Sequence, residues 1–459
     1  MKLNSIMSII TFAFVIVLVL RGFRASKFSR HNLKWFQVDY GTAPILGVLI
    51  LVATFSIDHF VIIRGIIGSD GIEPYAILIL FMTLVYVCIS LDLTGFFEYL
   101  ALRTVKAAGN SPRKLFLYFF FLSSFLTVFT SNDIVILTLT PIICYFAKYT
   151  KVDPIPYLIG QFFAANIWSL TLYIGNPTNI IVAEAYDLSF VEYTTWMLLP
   201  TIAAGFSCLL MVWLVFRKKL PQTFEPPEID PSSALKDKFG AIFGVSLLAS
   251  CLILLSLASW LNLTLWSITL SFAIIMFFRD IIYDFFSKKK SKGTRNYNTI
   301  RNAAVRMPWK ILPFIIGMFI LVEALATSGW VDLFAALISN ISKNMITSVF
   351  LMVFLSAITS NLMNNQPMTI LFTKILISSS FNAPGTIKFG IMFALIMGSN
   401  FGANFTLIGA LAGIMWHKIL LNKGIEISFK DFAKYGIVIM PIVIAVAALT
   451  LSIELLVWL

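Results

Sequence analysis

The sequence contains little charge for its length. Asp, Glu, Lys and Arg make up 12% of the 459 residues, whereas hydrophobic residues make up 59%. Soluble domains keep far more charge on their surface, so this composition excludes a soluble globular protein. Long apolar runs such as Ile45–Ile57, Ile77–Leu91 and Ile437–Ile453 recur along the chain, and with their flanks they approach the roughly 20 helical residues that cross a bilayer. We therefore predict an all-α polytopic membrane protein.

Cysteine is scarce, and the motifs of common enzymes are missing. The four cysteines stand singly inside apolar runs, which argues against a disulfide framework and favours small core residues over metal ligands. The sequence has no HExxH or GxSxG pattern, and no phosphate-binding GxxxxGKS or GxxxxGKT pattern. We therefore expect neither an enzyme nor an intrinsic ATP-driven pump, and no cofactor.

Positive charge is in excess, with 34 Lys and Arg against 22 Asp and Glu. In a membrane protein this excess fits cytoplasmic loops better than nucleic-acid binding. We predict a topology of about ten crossings and two re-entrant hairpins, with both termini on the outer side of the cell membrane. This topology places nearly all basic residues on the cytoplasmic side. It leaves outside only Lys2, Arg64, Lys343, Lys374 and Lys388.

Two segments of this topology return to the side from which they enter. The first runs from Leu115 to Phe146 and is interrupted by the polar triplet Ser131-Asn132-Asp133. The second is Ile346–Ile377, and it enters from the opposite side of the membrane. Irregular backbone is tolerated at membrane depth only where it is buried in protein or lines a cavity, so we expect both hairpin tips to lie inside the bundle.

The chain contains an internal repeat. Four pairs of segments match in the same order and at nearly constant spacing: Leu91–Ala101 with Leu325–Ala335, Thr130–Asn132 with Thr359–Asn361, Leu170–Gly175 with Phe405–Gly409, and Ser189–Tyr193 with Ser428–Phe432. Because the two hairpins open to opposite sides, we predict inverted halves, as in many secondary transporters. The predicted division is an N-terminal helix and basic loop (1–41), a first repeat (42–216), a cytoplasmic loop (217–238) and a second repeat (239–456).

Four polar interruptions of the apolar runs are the predicted substrate elements. Breaks of this kind expose backbone groups and helix N-termini that bind ions or polar solutes, although Asn, Ser and Gly also serve helix packing in membranes. The predicted substrate-binding residues are Ser131, Asn132, Asn166, Thr171, Asn176, Thr178, Asn179, Ser360, Asn361, Asn364, Asn365, Ser399, Asn400, Asn404 and Thr406.

Asp133 is the predicted ion-coupling residue. A carboxylate inside a membrane segment is costly and marks a functional site, and a titratable one suits a proton carrier. The alternative is that Asp133 caps the N-terminus of the second hairpin arm. Its counterpart in the second half is Leu362, so coupling is expected to differ between the halves. Asp92 and Glu323 lie near segment ends, where solvated or capping roles are expected.

These motifs resemble the arsenite efflux permeases of the ArsB type, within the ion transporter superfamily. The similarity rests on Asn132-Asp133 followed by Leu139-Thr140-Pro141, and on Met363-Asn364-Asn365-Gln366-Pro367. The element Gly175-Asn176-Pro177-Thr178-Asn179 is closer to other members of the superfamily. Sodium-coupled di- and tricarboxylate carriers usually have Ser-Asn-Thr at both tips, where this chain has Asp133 or Leu362.

The resemblance implies proton-coupled efflux of arsenite or antimonite. Asp133 would bind the coupling proton, and Asn132, Asn361, Asn364 and Asn365 would help line the substrate site. It also implies a small inorganic solute and a coupling cation, proton or sodium, as partners in the bilayer, and leaves open a homodimer and a soluble ATPase partner. The alternative is sodium- or proton-coupled transport of another small anion or oxyacid, such as a di- or tricarboxylate or silicate.

Overall fold

Prolines and polar caps divide the apolar chain into helices in the computed structural model, which describes residues 3–24, 39–69, 71–225, 230–290 and 298–458. Ser111 caps the helix that begins at Pro112, and Ser189 caps the one that begins at Phe190. Within these residues the protein is helical, apart from an isolated bridge between Ser69 and Ile72. The all-α prediction is confirmed.

The helices of the first half and its loop are α1 (Leu3–Arg24), α2 (Ala43–Ala53), α3 (His59–Ile67), α4 (Pro74–Leu93), α5 (Phe96–Ala108), α6 (Pro112–Phe129), α7 (Asn132–Thr150), α8 (Ile155–Trp168), α9 (Pro177–Ala185) and α10 (Phe190–Phe216). The second half contains α11 (Lys238–Leu261), α12 (Leu265–Lys290), α13 (Thr299–Arg306), α14 (Ile311–Thr327), α15 (Trp330–Ile341), α16 (Met345–Met363), α17 (Asn365–Ile377), α18 (Gly385–Gly402), α19 (Leu411–Asn422) and α20 (Phe429–Trp458).

Ten stretches in the described residues are long and apolar enough to cross a membrane. They include the hairpin arms α6, α7 and α16, and outside the hairpins α1, α4, α10, α11, α12, α14 and α20. Three further stretches are divided by a break into the helix pairs α2–α3, α8–α9 and α18–α19. The break between α2 and α3 differs from the sequence prediction, which treated Ile45–Ile57 as continuous. It falls at Thr54–Asp58, where Asp58 caps α3 through the Val61 N–H.

Helices α6 and α7 form hairpin one, which returns to its starting side. Phe146 near the end of α7 packs against Phe119 of α6 and Tyr157 of α8, with ring centroids 6.3 and 6.4 Å apart. The Tyr157 hydroxyl also lies 3.5 Å from the carbonyl oxygen of Pro112, the first residue of α6. The two ends of the hairpin are therefore neighbours, as predicted.

Helices α16 and α17 form hairpin two, which opens at the other end of the bundle. Both hairpins can be located along α20. Near the start of α20, Tyr435 packs on Phe216 at 4.8 Å, beside the 217–238 loop, and Phe146 at the base of hairpin one packs on Phe224 of that loop at 5.2 Å. Near its other end, Leu455 lies over Gly390 together with Met345, which begins hairpin two. The two hairpins are therefore inverted.

Small residues allow the closest helix crossings. A Cβ at Gly398 or Gly402 of α18 would lie 1.8 or 1.9 Å from the hydroxyl oxygen of Ser356 or Ser360 of α16. This pairing of small residues four apart brings two backbones together, which stabilises helix association in lipid through van der Waals packing. The four cysteines are buried, in agreement with the prediction that they are small core residues.

Candidate functional site

The tip of hairpin one places three predicted residues at the centre of the bundle. The Ser131 hydroxyl accepts the Ile134 N–H at 3.4 Å and caps α7. The Asn132 side chain accepts the Asp133 N–H at 2.9 Å and donates to Asn166 Oδ1 at 2.9 Å. Because Ser131 is the N-cap, the alternative that Asp133 caps this helix is wrong.

Asp133 lies in the first turn of α7 and is buried, 9% exposed. Among the described residues, its carboxylate receives no hydrogen bond and no ion pair. Tyr40, which precedes α2, lies within its electrostatic reach. Burial raises the pKa of Tyr40 to about 12, and the charges of Asp39 and Asp133 act in the same direction. A carboxylate buried without a bound partner is the costly arrangement that membrane proteins keep for transport sites.

The break between α8 and α9 folds back on itself. Asn179 Nδ2 donates to the Ser169 carbonyl at 2.8 Å, and the Asn176 side chain caps α9 by accepting the Thr178 N–H at 3.1 Å. The Thr171 hydroxyl donates to the Trp168 carbonyl at 2.9 Å. These bonds satisfy backbone groups that the broken helix leaves without helical partners.

Hairpin two is joined to the break between α18 and α19. Asn361 Nδ2 donates to the Gly402 carbonyl at 2.9 Å, and Asn361 Oδ1 accepts the Thr406 hydroxyl at 2.5 Å. Asn365 donates its backbone N–H to the Gly409 carbonyl at 2.9 Å and its side chain to the Ser399 carbonyl at 3.3 Å. Asn364 has a positive φ of 74°, and its side chain donates to the Ile408 carbonyl at 3.2 Å. Ser360 bonds within its own helix, to the Ala357 carbonyl at 2.8 Å.

Amide and hydroxyl side chains connect the two halves directly. Asn166 Nδ2 donates to Asn404 Oδ1 at 2.9 Å. Asn400 Oδ1 accepts from Ser169 Oγ and Asn176 Nδ2, each at 2.9 Å, while Asn400 Nδ2 donates to Asn179 Oδ1 at 2.8 Å. Ser399 and Thr178 share a hydroxyl–hydroxyl bond of 3.1 Å. We call this set, with Asn132, the amide network.

The amide network is polar but uncharged, and Asp133 adjoins it at hairpin one. Four helix N-termini begin at the tips and breaks, namely those of α7, α9, α17 and α19. Side chains of Ser131, Asn176 and Asn364 cap the first three, whereas α19 begins after Ala410 without a side-chain cap. The positive end of a helix dipole favours electron-rich groups, so the arrangement can bind a small polar solute rich in oxygen.

A cavity of about 470 Å³ leads toward hairpin one from one end of the bundle. Its lining includes Ile134, next to Asp133, and Thr138 on α7, with Ile89 and Asp92 on α4. Arg306 lies at its mouth, 2.7 Å from the Asp92 carboxylate, together with Lys236. We call this end the basic end; it also contains the base of hairpin one. Asp92 therefore forms an ion pair with Arg306 and does not cap a helix.

The sequence prediction missed several polar residues. Ser169 joins the network, yet a single Ser in an apolar run gives no signal for it. Lys374 was counted among outer residues, but the structure places it inside α17, 2.9 Å from the buried Glu323. The expectation of a solvated or capping role for Glu323 is therefore wrong. Gln366 Oε1, just after the tip of hairpin two, is buried and has no hydrogen-bond partner within the described ranges. Lys2 lies outside the described residues.

Known proteins resemble this chain over most of its length. The sequence model of the family described as "CitMHS: Citrate transporter" matches residues 6–389, which is most of the sequence. The chain belongs to the CitMHS citrate transporter family. It is therefore a membrane transporter and not an enzyme, as predicted.

Relatives of this transporter include two arsenical pump membrane proteins. The protein of that name from Escherichia coli is 28% identical over 384 residues, which is 82% of this chain and 86% of the relative, and the one from Yersinia enterocolitica has the same identity and coverage. An uncharacterized transporter of Synechocystis is 26% identical over 432 residues, 90% of this chain and 92% of that protein. The resemblance to arsenical permeases predicted from the motifs is confirmed.

A solved structure shares the fold of this transporter. Neisseria gonorrhoeae MtrF, from a class of antimetabolite efflux pumps, superposes with a TM-score of 0.54 at 11% identity, covering 99% of this chain and 95% of MtrF. This likeness supports the architecture alone. The predicted division into residues 42–216 and 239–456, the roles of the predicted site residues, and the placement of both termini outside stay predictions.

Proposed function

We propose that this transporter is a proton-coupled exporter of arsenite and antimonite, with Asp133 as the proton-binding residue. The observation that carries the proposal is the buried carboxylate of Asp133 at the tip of hairpin one, adjoining an uncharged network that joins both halves. Arsenous acid is largely neutral near neutral pH, so its hydroxyl groups need hydrogen-bond partners rather than a fixed cation. The relatives named arsenical pump membrane proteins support the same substrate.

Gln366 adds a specific feature in favour of a hydroxyl-rich solute. Its buried Oε1 acceptor has no partner among the described residues, and an unsatisfied buried acceptor costs about 1–3 kcal/mol. A donor hydroxyl of the bound solute would remove that cost. The uncapped N-terminus of α19 could receive an electron-rich oxygen of the same solute.

Proton coupling is proposed because Asp133 is a titratable group with no ion-pair partner in the described part of the chain. Such a residue can load a proton when the site faces one side and release it when the site faces the other. A neutral solute leaving in exchange for a proton then requires one carboxyl group in the pathway, which this site supplies.

The test is flux in proteoliposomes. An imposed pH gradient is expected to drive arsenite and antimonite across the membrane of vesicles that contain the purified protein. A pH-sensitive dye inside the vesicles should report proton movement in the opposite direction. Expression in an arsenite-sensitive bacterial host should raise resistance. Unchanged sensitivity despite good membrane expression would count against the exporter.

The second candidate is sodium- or proton-coupled transport of another small anion or oxyacid, such as a di- or tricarboxylate or silicate. The citrate-transporter description of the family model favours it, as do the four helix N-termini at the site. The amide network contains no Lys or Arg that would pair with a multiply charged anion. For this reason we rank anion transport second. Citrate uptake driven by a sodium gradient, without arsenite flux, would reverse the ranking.

A further inference from the structure

A group of four polar residues joins hairpin two to the helices beside it, at the end of the bundle opposite the basic end. Lys374 Nζ on α17 lies 2.9 Å from Glu323 Oε2 on α14, and both side chains are nearly buried, 8% and 7% exposed. Ser69, which follows α3, donates to Glu323 at 2.9 Å and accepts from Lys374 at 2.5 Å. Arg64 Nε on α3 lies 3.4 Å from Glu323 Oε1. We call this group the Glu323 cluster.

The Glu323 cluster connects two groups of helices. Helix α17 packs with α16, α18 and α9, which belong to the hairpins and broken helices around the site. Helix α14 packs with α1, α2 and α3, which contribute nothing to the amide network. Gly65 of α3 fits against the backbone of α14, where a Cβ would lie 2.6 Å from the Ile320 Cα. The cluster is therefore a charged junction between the element that carries the site and a tightly packed neighbouring layer.

The corresponding junction in the first half is open. By the internal repeat, α7 corresponds to α17 and α4 to α14. Between α4 and α7 lies the cavity of about 470 Å³ at the basic end, whereas the gap beside α14 and α17 measures about 10 Å³. The structure thus has one crevice open and its inverted counterpart closed, and the Glu323 cluster spans the closed one.

We propose that the Glu323 cluster is a gate that keeps the crevice between α14 and α17 shut while the crevice between α4 and α7 is open. Opening the second crevice requires Lys374 and Glu323 to separate. A buried ion pair is costly to break when one charge is left without water or a partner, but an opening crevice admits water to both. The pair therefore sets the balance between the two states of the transporter. This proposal rests on membership of a transporter family and not on arsenite as substrate.

Reactivity of introduced cysteines tests the gate without measuring transport. Ile370→Cys places a reporter in the closed crevice, and Thr138→Cys places one in the open cavity; both residues line these spaces. Each reporter is labelled with a maleimide while the protein is in nanodiscs, where the reagent reaches both ends of the helix bundle. The four native cysteines are buried, and the unsubstituted chain gives the background rate. With the gate intact, Thr138→Cys should react quickly and Ile370→Cys slowly.

Removing the ion pair should reverse this pattern. In Glu323→Gln we expect the labelling rate of Ile370→Cys to rise about tenfold or more and that of Thr138→Cys to fall. The reason is that the population shifts from the state with the α4–α7 crevice open to the state with the α14–α17 crevice open. The double variant Glu323→Gln/Lys374→Met leaves no buried charge without its partner, because the remaining cation of the cluster, Arg64, is half-exposed. It replaces the single variant if the latter does not fold. Arg306→Gln is the matched control, because it breaks the pair with Asp92 at the basic end and should leave Ile370→Cys protected.

Two outcomes would overturn the proposal. Faster labelling of Ile370→Cys with no change at Thr138→Cys would mean local loosening rather than exchange between two states. The variant counts as folded if its size-exclusion elution profile is unaltered. Unchanged labelling at both reporters in such a variant would mean that the ion pair is a fixed part of the core. Arsenite flux plays no part in this readout, so a failed substrate assignment and a failed gate are distinguishable.

Discussion

The predicted tips Ser131-Asn132-Asp133 and Ser360-Asn361-Leu362 match in the repeat, but the first begins α7, whereas the second lies at the end of α16, before the turn at Asn364. The first tip buries its third residue, whereas Leu362 is 63% exposed. Asn132 binds Asn166, the side chain of another broken helix, but Asn361 binds backbone and Thr406 within its own half. The matching triplets therefore carry a buried titratable group at the start of a helix in one half and an exposed apolar side chain at the end of a helix in the other, so a repeat in the sequence does not imply the same chemistry in both halves.

The largest expected effect comes from removing the carboxylate that distinguishes the halves. Asp133→Asn should reduce proton-coupled arsenite efflux to background, because the amide cannot carry the proton. Leu362→Asn alters the matching residue of hairpin two and should retain near-normal flux. Both are measured in proteoliposomes with a pH-sensitive dye. Full activity of Asp133→Asn would remove Asp133 from the coupling step and make the two tips equivalent.

Backbone packing at the two breaks gives the next comparison. A Cβ at Gly175 would lie 2.1 Å from the Ser169 carbonyl oxygen, and one at Gly409 would lie 2.6 Å from the Gly402 carbonyl oxygen. Displacing backbone costs more free energy than displacing a side chain. Gly175→Ala should therefore destabilise the protein by about 3 kcal/mol and Gly409→Ala by about 1–2 kcal/mol. Thermal unfolding in detergent measures both.

Gly385→Ala is the control for this pair, because nothing lies within 4 Å of its added Cβ. Its melting temperature should match that of the unsubstituted chain. Equal losses at Gly175 and Gly409 would show that the first break is not the more tightly folded one.

The amide network predicts an intermediate effect. Asn400 makes four side-chain bonds to the first half, with Ser169, Asn176, Asn179 and, at 3.5 Å, Thr178. Interhelical hydrogen bonds in membranes average about 0.6 kcal/mol each, so Asn400→Ala should cost about 2 kcal/mol. Asn404→Ala, which loses the side-chain bonds to Asn166 and to the Phe163 carbonyl, should cost about 1 kcal/mol. Chemical unfolding in mixed micelles can rank the two, and a reversed order would contradict the network as drawn.

The smallest expected effect concerns the helix N-termini. Asn176 caps α9, but its counterpart Ala410 leaves α19 without a side-chain cap. Ala410→Ser should stabilise the protein by about 0.5–1 kcal/mol by capping the helix. It should also raise the KM for arsenite, because the hydroxyl competes with the solute for the same N–H groups. An unchanged KM in Ala410→Ser would exclude solute binding at α19.

The sequence by itself determined the class of this protein. Its low charge and long apolar runs require a membrane bundle, since lipid accepts only segments whose backbone groups are satisfied internally. The matched segments predicted two halves, and the polar triplets predicted two hairpins and two of the breaks, because a polar interruption in an apolar run costs free energy and is therefore informative. Asp133 stood out for the same reason.

Only the tertiary structure decided how these pieces meet. The bonds from Asn166 to Asn404 and from Ser169 to Asn400 join residues more than two hundred positions apart, and no local pattern encodes such pairs. Lys374 shows the limit most clearly. In the sequence it is one basic residue among several near the outer side, but the inverted packing of α17 against α14 buries it beside Glu323, because burial depends on which helices lie alongside and not on the residue's own neighbours in the chain.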